Sequence, residues 1–357
     1  IIPTIKMLIE KEAKIIILSH IGRPNGKIVE RMSLEPISKK LSSILNQEVL
    51  FNKKEINNIS MFDTNKIKSG SLLMLENIRF NQGEENNDIK FSKKLSSLGD
   101  IYVNDAFSCS HRSHSSIDGI TKYMPSYFGL QITQEIDALK KITSEIKKPV
   151  TLIIGGSKIS TKINIINNLA KKFNNIIIVG GMANTMFKHS GLRIGKSICE
   201  NNCESLVKEI LRISKKFDCK ITCPEDVIVS KNTEDAGKNK NIKDINDDEM
   251  ILDIGPKTIS TIKKIINESN TVLWNGPAGY FENPHFQNGT KEIAEIISQK
   301  TINDKIFSVA GGGETVAAIN KFKMQNSFTF VSTAGGAFLE YLEGKNLPGI
   351  KALNQNV

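Results

Sequence analysis

No apolar run in this 357-residue sequence approaches the roughly 20 residues that cross a lipid bilayer. The sequence begins with Ile1 and Ile2 and lacks the basic stretch, apolar stretch and cleavage site of a signal peptide. Hydrophobic residues make up 39% of the chain and charged residues 24%, as in folded water-soluble proteins. These features argue against a membrane protein and predict a cytoplasmic protein whose first residues are missing.

Cysteine is scarce, and the five cysteines form an odd set that argues against a disulfide framework. Four of them, Cys199, Cys203, Cys219 and Cys223, form two C-x-x-x-C pairs that raise the alternative of a zinc site. Cys219 and Cys223 lie in a predicted strand, where four residues span about 13 Å. Two ligands of one tetrahedral zinc lie much closer together, so the spacing favours free thiols.

The net charge of +10 comes without a nucleic-acid recognition motif or an aromatic stacking surface. The lysines are scattered among segments rich in Asn and Ile and form no basic stripe. We therefore predict small-molecule partners, with no nucleic acid and no membrane. Part of the charge can still attract anionic substrates.

Short apolar runs alternate with amphipathic segments along the whole chain, which is typical of strand-helix-strand units and parallel sheets. The length favours two domains. We predict an N-terminal domain over residues 1–128, a connecting helix within 129–148, a C-terminal domain over 149–345, and a tail over 346–357. Apolar residues at helical spacing, from Ile136 to Ile146, support the connecting helix.

Glycine-rich turns follow five predicted strands of the second domain, with the sequences GGSK, GGMANT, NGPAG, AGGGET and STAGG. In open parallel sheets, ligands bind beyond the carboxyl ends of the strands, and glycine there allows backbone N–H groups to approach a phosphate. Five such turns predict a nucleotide or phosphate site. Lys158 and Lys162 are predicted to lie on one face at the start of the following helix, although a solvated pair is the alternative.

Cationic side chains follow the predicted strands of the first domain. They are His20, Arg23, Arg79, His111, Arg112 and His114. A guanidinium group matches phosphate and carboxylate oxygens in paired hydrogen bonds. Any one arginine is more often a surface residue, but three at the same end of a sheet favour a substrate with several negative charges.

Other nucleotide-binding signatures are absent. Residues 191–197, GLRIGKS, resemble a P-loop, but that pattern requires glycine at the position of Ser190. The sequence also lacks the H-R-D and D-F-G motifs of protein kinases. It has no G-x-G-x-x-G turn either, which leaves little support for a nucleotide-dependent oxidoreductase.

Ten motifs, in order, resemble those of the phosphoglycerate kinase family. They are SHIGRP, LENIRF, VNDAFSCSHRSHSS, GGSKISTKI, GGMANTMF, DIGPKT, WNGPAGYFE, AGGGETVAAI, STAGGAFLEYLEG and LPG. The resemblance implies two Rossmann-like α/β/α domains with parallel sheets facing a cleft, and a monomer that closes by hinge bending. It also implies reversible phosphoryl transfer between 1,3-bisphosphoglycerate and ADP, giving 3-phosphoglycerate and ATP with Mg²⁺.

The resemblance assigns roles to particular residues. The implied triose-binding set is His20, Ile21, Gly22, Arg23, Arg79 and Arg112. The implied nucleotide-binding set is Lys162, Gly180, Gly181, Asn275, Glu282, Gly311, Gly312, Gly313, Glu314 and Thr315. Lys158, Gly312 and Gly335 are expected to stabilise the transferred phosphoryl group, and Glu314 to hold Mg²⁺ through the nucleotide.

The sequence departs from the family pattern in three places. Glu314 stands where the family usually has Asp, and Ala334 replaces the first of three glycines. The first strand, its loop, and the family's substrate-binding Asp and Asn and transition-state Arg are expected to be missing. The alternative function is therefore a truncated nucleotide-binding protein with little or no turnover.

Overall fold

The computed structural model describes residues 1–60, 64, 66–303 and 305–355. The chain divides into two compact units. Unit 1 contains Ile1–Ile136 and the chain from Asn346 onward, and unit 2 contains Asp137–Lys345. The last two residues of the predicted tail, 356 and 357, lie outside the described residues.

Unit 1 contains two small parallel sheets. The first has the strand order β1-β3-β2 and the second pairs β4 with β5. The strands are β1 Ile15–Ile17, β2 Val49–Asn52, β3 Leu72–Leu75, β4 Tyr102–Asn104 and β5 Ser126–Phe128. Within the described chain, β1 pairs only with β3 and β4 only with β5. The expectation of a missing strand in this unit stays a prediction.

The helices of unit 1 cover these sheets. They are α1 Ile2–Glu10, α2 Glu35–Leu45, α3 Gln82–Glu85 and α4 Ile89–Ser96, followed by α5 Leu130–Thr143, which continues into unit 2. One core cluster lies between α1, α2 and the sheet, with Leu34 and Leu72 at its centre. A second joins β3 to α4 through Leu75 and Phe91.

Unit 2 is built around a six-stranded parallel sheet with the order β14-β13-β12-β6-β7-β8. Its strands are β6 Val150–Ile154, β7 Asn175–Ile178, β8 Lys220–Thr222, β12 Thr271–Asn275, β13 Phe307–Gly311 and β14 Phe330–Ser332. Every residue of β6 and of β12 is buried. Central strands of a parallel sheet are covered on both faces, which explains the continuous apolar run VTLII.

A small antiparallel sheet adjoins the main sheet of unit 2, with the order β10-β9-β11. Its strands are β9 Asp226–Ser230, β10 Lys238–Asn241 and β11 Met250–Ile254. The pairing of β11 with β9 shifts register between Ile251 and Asp253. This irregularity redirects the side chains of β11, and Asp253 becomes buried.

The helices of unit 2 follow the strands. They are α6 Ile163–Leu169, α7 Gly180–His189, α8 Glu204–Phe217, α9 Pro256–Asn267, α10 Asn288–Ile302, α11 Gly313–Lys321 and α12 Gly336–Leu342. In α8, the apolar residues Val207, Ile210 and Ile213 repeat at helical spacing and form its buried face. The helix ends where Asp218 adopts a left-handed conformation.

The boundary between the units lies inside α5, after Ile136. α5 ends at Thr143, before the predicted end of the connecting helix at 148. The hydroxyls of Thr143 and Ser144 bond to carbonyls one turn back, and Pro149 cannot continue a helix. Helix α13, Pro348–Asn354, packs in unit 1, where the Gly349 N–H donates to the Ser110 carbonyl at 2.9 Å.

None of the helices that the structure describes is long and apolar enough to span a bilayer. Among the same residues, all five cysteines are free thiols.

Candidate functional site

Five strands of the unit 2 sheet end in glycine-containing turns. Gly155 follows β6, Gly180 follows β7, Gly276 follows β12, Gly311 ends β13, and Gly335 follows β14. These strands are neighbours in the order β14-β13-β12-β6-β7. Because parallel strands share one carboxyl edge, all five turns meet along the same edge of the sheet.

Hydrogen bonds join three of these turns. The Lys162 Nζ atom donates to Asn275 Oδ1 at 2.5 Å, and the Asn275 amide donates to the Gly311 carbonyl at 2.7 Å. The Gly276 N–H donates to Thr315 Oγ1 at 2.7 Å. The lysine turn after β6 is thereby held against the turns after β12 and β13.

Lys162 is largely enclosed, and burial lowers the pKa of its ammonium group, although the carboxylates of Glu314 and Glu343 oppose the shift. Lys158 is exposed. The prediction that both lysines begin a helix is wrong. α6 begins at Ile163, and the Lys162 N–H instead closes a turn onto the Ile159 carbonyl at 3.0 Å.

Glycine is required by conformation at Gly312, whose φ of +94° side chains rarely adopt. A Cβ there would lie 2.5 Å from Asn275 Nδ2. Gly180, at φ +66°, is the first residue of α7. A helix starts at or directly after each of these glycines, and the first N–H groups of a helix have no partner within it.

A cavity of about 460 Å³ lies beside these turns, within unit 2. Of the predicted residues, four line it: Gly180, Gly181, Glu282 and Glu314. The other predicted nucleotide residues are not among the lining residues. The cavity wall also contains residues that sequence reasoning missed, including Phe187, Ile198, Val227, Leu252, Pro277 and Tyr280.

Asp253 is a missed polar residue of this wall. Burial raises the pKa of its carboxyl group to about 7, while N–H groups of Gly289 and Ile254 oppose the shift by donating to its oxygens at 2.7 and 2.9 Å. A Cβ at Gly279 would lie 2.4 Å from Asp253 Oδ1. Gly279 therefore lies too close to the Asp253 carboxylate to carry a side chain. The place of Asp253 in the motif DIGPKT was the available signal, but the sequence alone gives no sign of its burial.

The predicted cations of unit 1 also follow the carboxyl ends of parallel strands. His20 follows β1, Arg79 lies in a short 3-10 turn, Ile78–Phe80, after β3, and Arg112 follows β4. Electrostatic interactions with Arg79, Arg112 and His114 act on His20, so the structure brings these four side chains together. Ile21, Gly22 and Arg23 are exposed in the turn after β1.

Arg79 is 4% exposed and donates from Nη1 to the Gly22 carbonyl at 2.9 Å. Its Nε atom lies 3.5 Å from Glu85 Oε1. Burial lowers the pKa of Arg79, with Glu85 opposing and Arg112 adding to the shift. A buried cation held beside another cation is ready to accept an anionic ligand.

The histidine His20 is neutral at pH 7. Burial and the positive charge of Arg79 lower its pKa from 6.5 to about 4. Nearby, His114 Nδ1 lies 3.6 Å from the buried Glu84 carboxylate, which also accepts from the Ser116 N–H at 3.0 Å. Glu84, which sequence reasoning missed, therefore fixes the loop that carries Arg112 and His114.

The described residues contain no group of three His, Cys, Asp or Glu side chains placed to hold a metal ion. Glu314, exposed in the first turn of α11 and lining the cavity, is a single carboxylate. Mg²⁺ is commonly held by one or two carboxylates together with substrate phosphates, so this donor set fits a metal that arrives with a nucleotide.

A parallel α/β sheet with converging glycine turns and a lysine, joined in one chain to a unit with clustered arginines, defines a nucleotide-dependent phosphotransferase. Residues 1–345 match the family model described as phosphoglycerate kinase. The chain belongs to the phosphoglycerate kinase family, whose members are phosphotransferases with a carboxyl group as acceptor.

The relatives match along nearly the whole chain. The phosphoglycerate kinase of Maricaulis maris is 42% identical over 354 residues, covering 99% of this chain and 88% of its own length. That of a Wolbachia sp. from Brugia malayi is 44% identical with the same coverage. The structure of phosphoglycerate kinase from Coxiella burnetii is 38% identical, with a TM-score of 0.91 over 99% of this chain and 89% of that one.

These matches confirm the predicted family and the α/β fold with parallel sheets. Their coverage favours the kinase over the alternative of a nucleotide-binding protein without turnover. They place the chain in a family of glycolytic kinases.

Proposed function

We propose that this chain transfers a phosphoryl group reversibly between 1,3-bisphosphoglycerate and ADP, giving 3-phosphoglycerate and ATP. The observation that carries the proposal is the hydrogen-bonded chain from Lys162 through Asn275 to Gly311, which gathers three strand ends into one phosphate-binding edge. Phosphoryl transfer requires little covalent help from the protein. It requires positioning and positive charge around the moving group.

In this proposal unit 1 binds the triose phosphate. Arg79 and Arg112 offer guanidinium groups, and neutral His20 offers a ring nitrogen to the carboxylate or phosphate. Ile21, Gly22 and Arg23 complete the contact from the turn after β1. The buried position of Arg79 supports its role, because an anion would compensate its desolvation.

Unit 2 binds the nucleotide in this proposal. The apolar wall of the cavity suits a base, and the turns at Gly180–Gly181 and 311–315 offer N–H groups to phosphates. Glu282 is an exposed residue of the cavity lining and is proposed to contact the ribose. Glu314 would hold magnesium that is bound to the nucleotide, and the metal would supply neutralisation of phosphate charge.

Lys158, Gly312 and Gly335 are proposed to stabilise the phosphoryl group in transit. Lys158 is exposed, so its ammonium group is accessible to a ligand. Transfer requires the acceptor oxygen to reach the transferred phosphorus in line with the leaving oxygen, so we propose that the units close by hinge bending. Family membership is also the basis for proposing a cytoplasmic monomer.

A turnover assay tests the proposal. ADP-dependent consumption of 1,3-bisphosphoglycerate is followed for the unsubstituted chain, for Lys158→Ala, and for Lys264→Ala as a control on the exposed face of α9. We expect Lys158→Ala to lose about 2 to 4 kcal/mol of transition-state stabilisation with little change in nucleotide affinity. An unchanged rate removes Lys158 from the mechanism, and no turnover or ligand binding by the unsubstituted chain contradicts the proposed function.

A further inference from the structure

Glu200 lies in the connection between α7 and α8, outside the nucleotide cavity. Its carboxylate accepts two hydrogen bonds from Ser160: one from the backbone N–H at 3.0 Å and one from the hydroxyl at 2.5 Å. The Ile159 N–H also donates to this carboxylate, and the Cys203 thiol lies against it. The contacts from Ser160 and Ile159 fall on the turn between Lys158 and Lys162.

That turn is anchored at its two ends, by Ile159 in the core and by the bond from Lys162 to Asn275. Ile159 anchors it in the core, fully buried, while Ser160 and Thr161 are exposed. Apart from the bond that closes the turn, Thr161 Oγ1 donates to the Lys158 carbonyl at 2.9 Å. Without Glu200, the N–H groups of Ile159 and Ser160 would lose their carboxylate acceptor.

Glu200 is itself fixed to a second glycine turn. Its N–H donates to Thr185 Oγ1 at 3.0 Å, and the Thr185 hydroxyl donates to the Gly181 carbonyl at 3.1 Å. Thr185 is fully buried in α7. A chain of hydrogen bonds therefore runs from the Gly180–Gly181 turn through Thr185 and Glu200 to the lysine turn.

We propose that Glu200 is a positioning residue for phosphoryl transfer, which holds the backbone of the Lys158–Lys162 turn in register with the Gly180–Gly181 turn. The inference rests on the proposed function. Hydrogen bonds to the charged carboxylate, led by those from Ser160, outweigh burial and lower the pKa of Glu200, so it is charged at neutral pH.

A displaced turn would move the Lys158 ammonium group without removing it. Misplacement of about 1 Å can reduce a rate on the order of 100-fold while the ligands still bind. We therefore expect Glu200→Ala to reduce kcat by about 10- to 100-fold and to change the KM for ADP by less than about threefold.

The experiment compares Glu200→Ala, Glu200→Gln and the control Glu204→Ala, whose side chain is exposed at the start of α8. Glu200→Gln keeps one acceptor oxygen but turns an amide toward a Ser160 donor, so it should recover part of the rate. Glu204→Ala should match the unsubstituted chain. Equal losses in Glu200→Ala and Glu204→Ala, or a loss expressed only in KM, would overturn the proposal.

Two further measurements separate positioning from general damage. In a Lys158→Ala background, Glu200→Ala should cause little further loss of kcat, because the group that it positions is gone. Amide hydrogen exchange at Ile159 and Ser160 should rise about 10-fold or more in Glu200→Ala with a similar Tm. Unchanged hydrogen exchange at these amides would contradict the inference, whether or not the unsubstituted chain shows turnover. The inference can therefore fail independently of the proposed function.

Discussion

Unit 1 and unit 2 both present polar groups at the carboxyl ends of parallel strands, but they use different chemistry. In unit 2 the groups come from backbone at five glycine turns and one enclosed lysine, Lys162. In unit 1 they come from the side chains of His20, Arg79 and Arg112. The difference shows that the carboxyl end of a parallel sheet can present polar groups either through backbone conformation or through side-chain charge.

The contrast extends to titration. Burial raises the pKa of a carboxyl group in unit 2, whereas burial and nearby cations lower the pKa of a histidine in unit 1. Asp253 has a pKa raised to about 7 and His20 a pKa lowered to about 4. The two units are therefore expected to lose stability at opposite ends of the pH range.

The largest expected effect concerns Asp253. Its pKa rises from 3.8 to about 7 on folding, so stability is intact below pH 4, falls as the pH rises to 7, and stays reduced above. At about 1.4 kcal/mol per pH unit, the free energy of unfolding of unit 2 falls by about 4 kcal/mol across this window. Asp253→Asn should remove that dependence.

Urea unfolding followed by Trp274 fluorescence measures the effect. Trp274 is the single tryptophan of the chain and is fully buried in unit 2, so it reports on that unit. The difference in the free energy of unfolding between Asp253→Asn and the unsubstituted chain is measured at pH 5 and at pH 8. All other groups titrate alike in the two proteins, so a change in this difference reports on Asp253. A difference that does not change with pH would show that Asp253 is charged throughout.

A smaller effect is expected from Gly312→Ala. Strain at φ +94° and the approach to Asn275 should cost about 1 to 3 kcal/mol. Because the turn can relax only by moving away from Asn275, we expect ADP affinity to fall about 10- to 100-fold. Gly313→Ala, where a Cβ meets open space at an ordinary helical φ, should lose much less in the same calorimetric titration. Equal losses would show that conformation at Gly312 is not the cause.

The smallest expected effect concerns His20. Its folded-state pKa is below the unfolded value of 6.5, so stability is intact above pH 6.5 and is lost as the pH falls toward 4. The ring is partly exposed, so after allowing for solvent screening we expect at most about 2 kcal/mol. NMR titration of the five histidines should show one with a midpoint near 4, absent in His20→Gln. A midpoint near 6.5 for His20 would contradict its placement among cations.

Much of the fold could be predicted from sequence because the parallel strands are continuous apolar runs. The strands β6, β7, β12 and β13 each end within two residues of the start of the glycine-rich turn that was predicted to follow a strand. None of the three strands of the antiparallel sheet was predicted, and at β10 the largely exposed sequence KNKN carries no apolar signal. β10 pairs with β9 as the next strand of an antiparallel hairpin, and its strand conformation depends on that partner more than on its own local propensity.

The residues of the candidate site also divide into those with a local sequence signal and those whose role depends on contacts far along the chain. Glycines that adopt a positive φ, such as Gly180 and Gly312, have a local cause and were found from the pattern of turns. Lys158 and Lys162 were predicted in the first turn of a helix, but both precede α6. The buried Ile159 packs in the core and fixes a separate turn there, which the sequence pattern does not reveal. Asp253 and Glu200 were missed because their importance comes from contacts with residues 26 to 40 positions away.

The central claim is that unit 1 holds the triose phosphate and unit 2 the nucleotide. Calorimetric titration of Arg79→Ala and Gly312→Ala with 3-phosphoglycerate and with ADP tests it most directly. The account predicts that Arg79→Ala loses affinity for 3-phosphoglycerate alone, by at least about 10-fold, and that Gly312→Ala loses affinity for ADP alone. Equal loss of both ligands in either variant, or the reverse pattern, would contradict it.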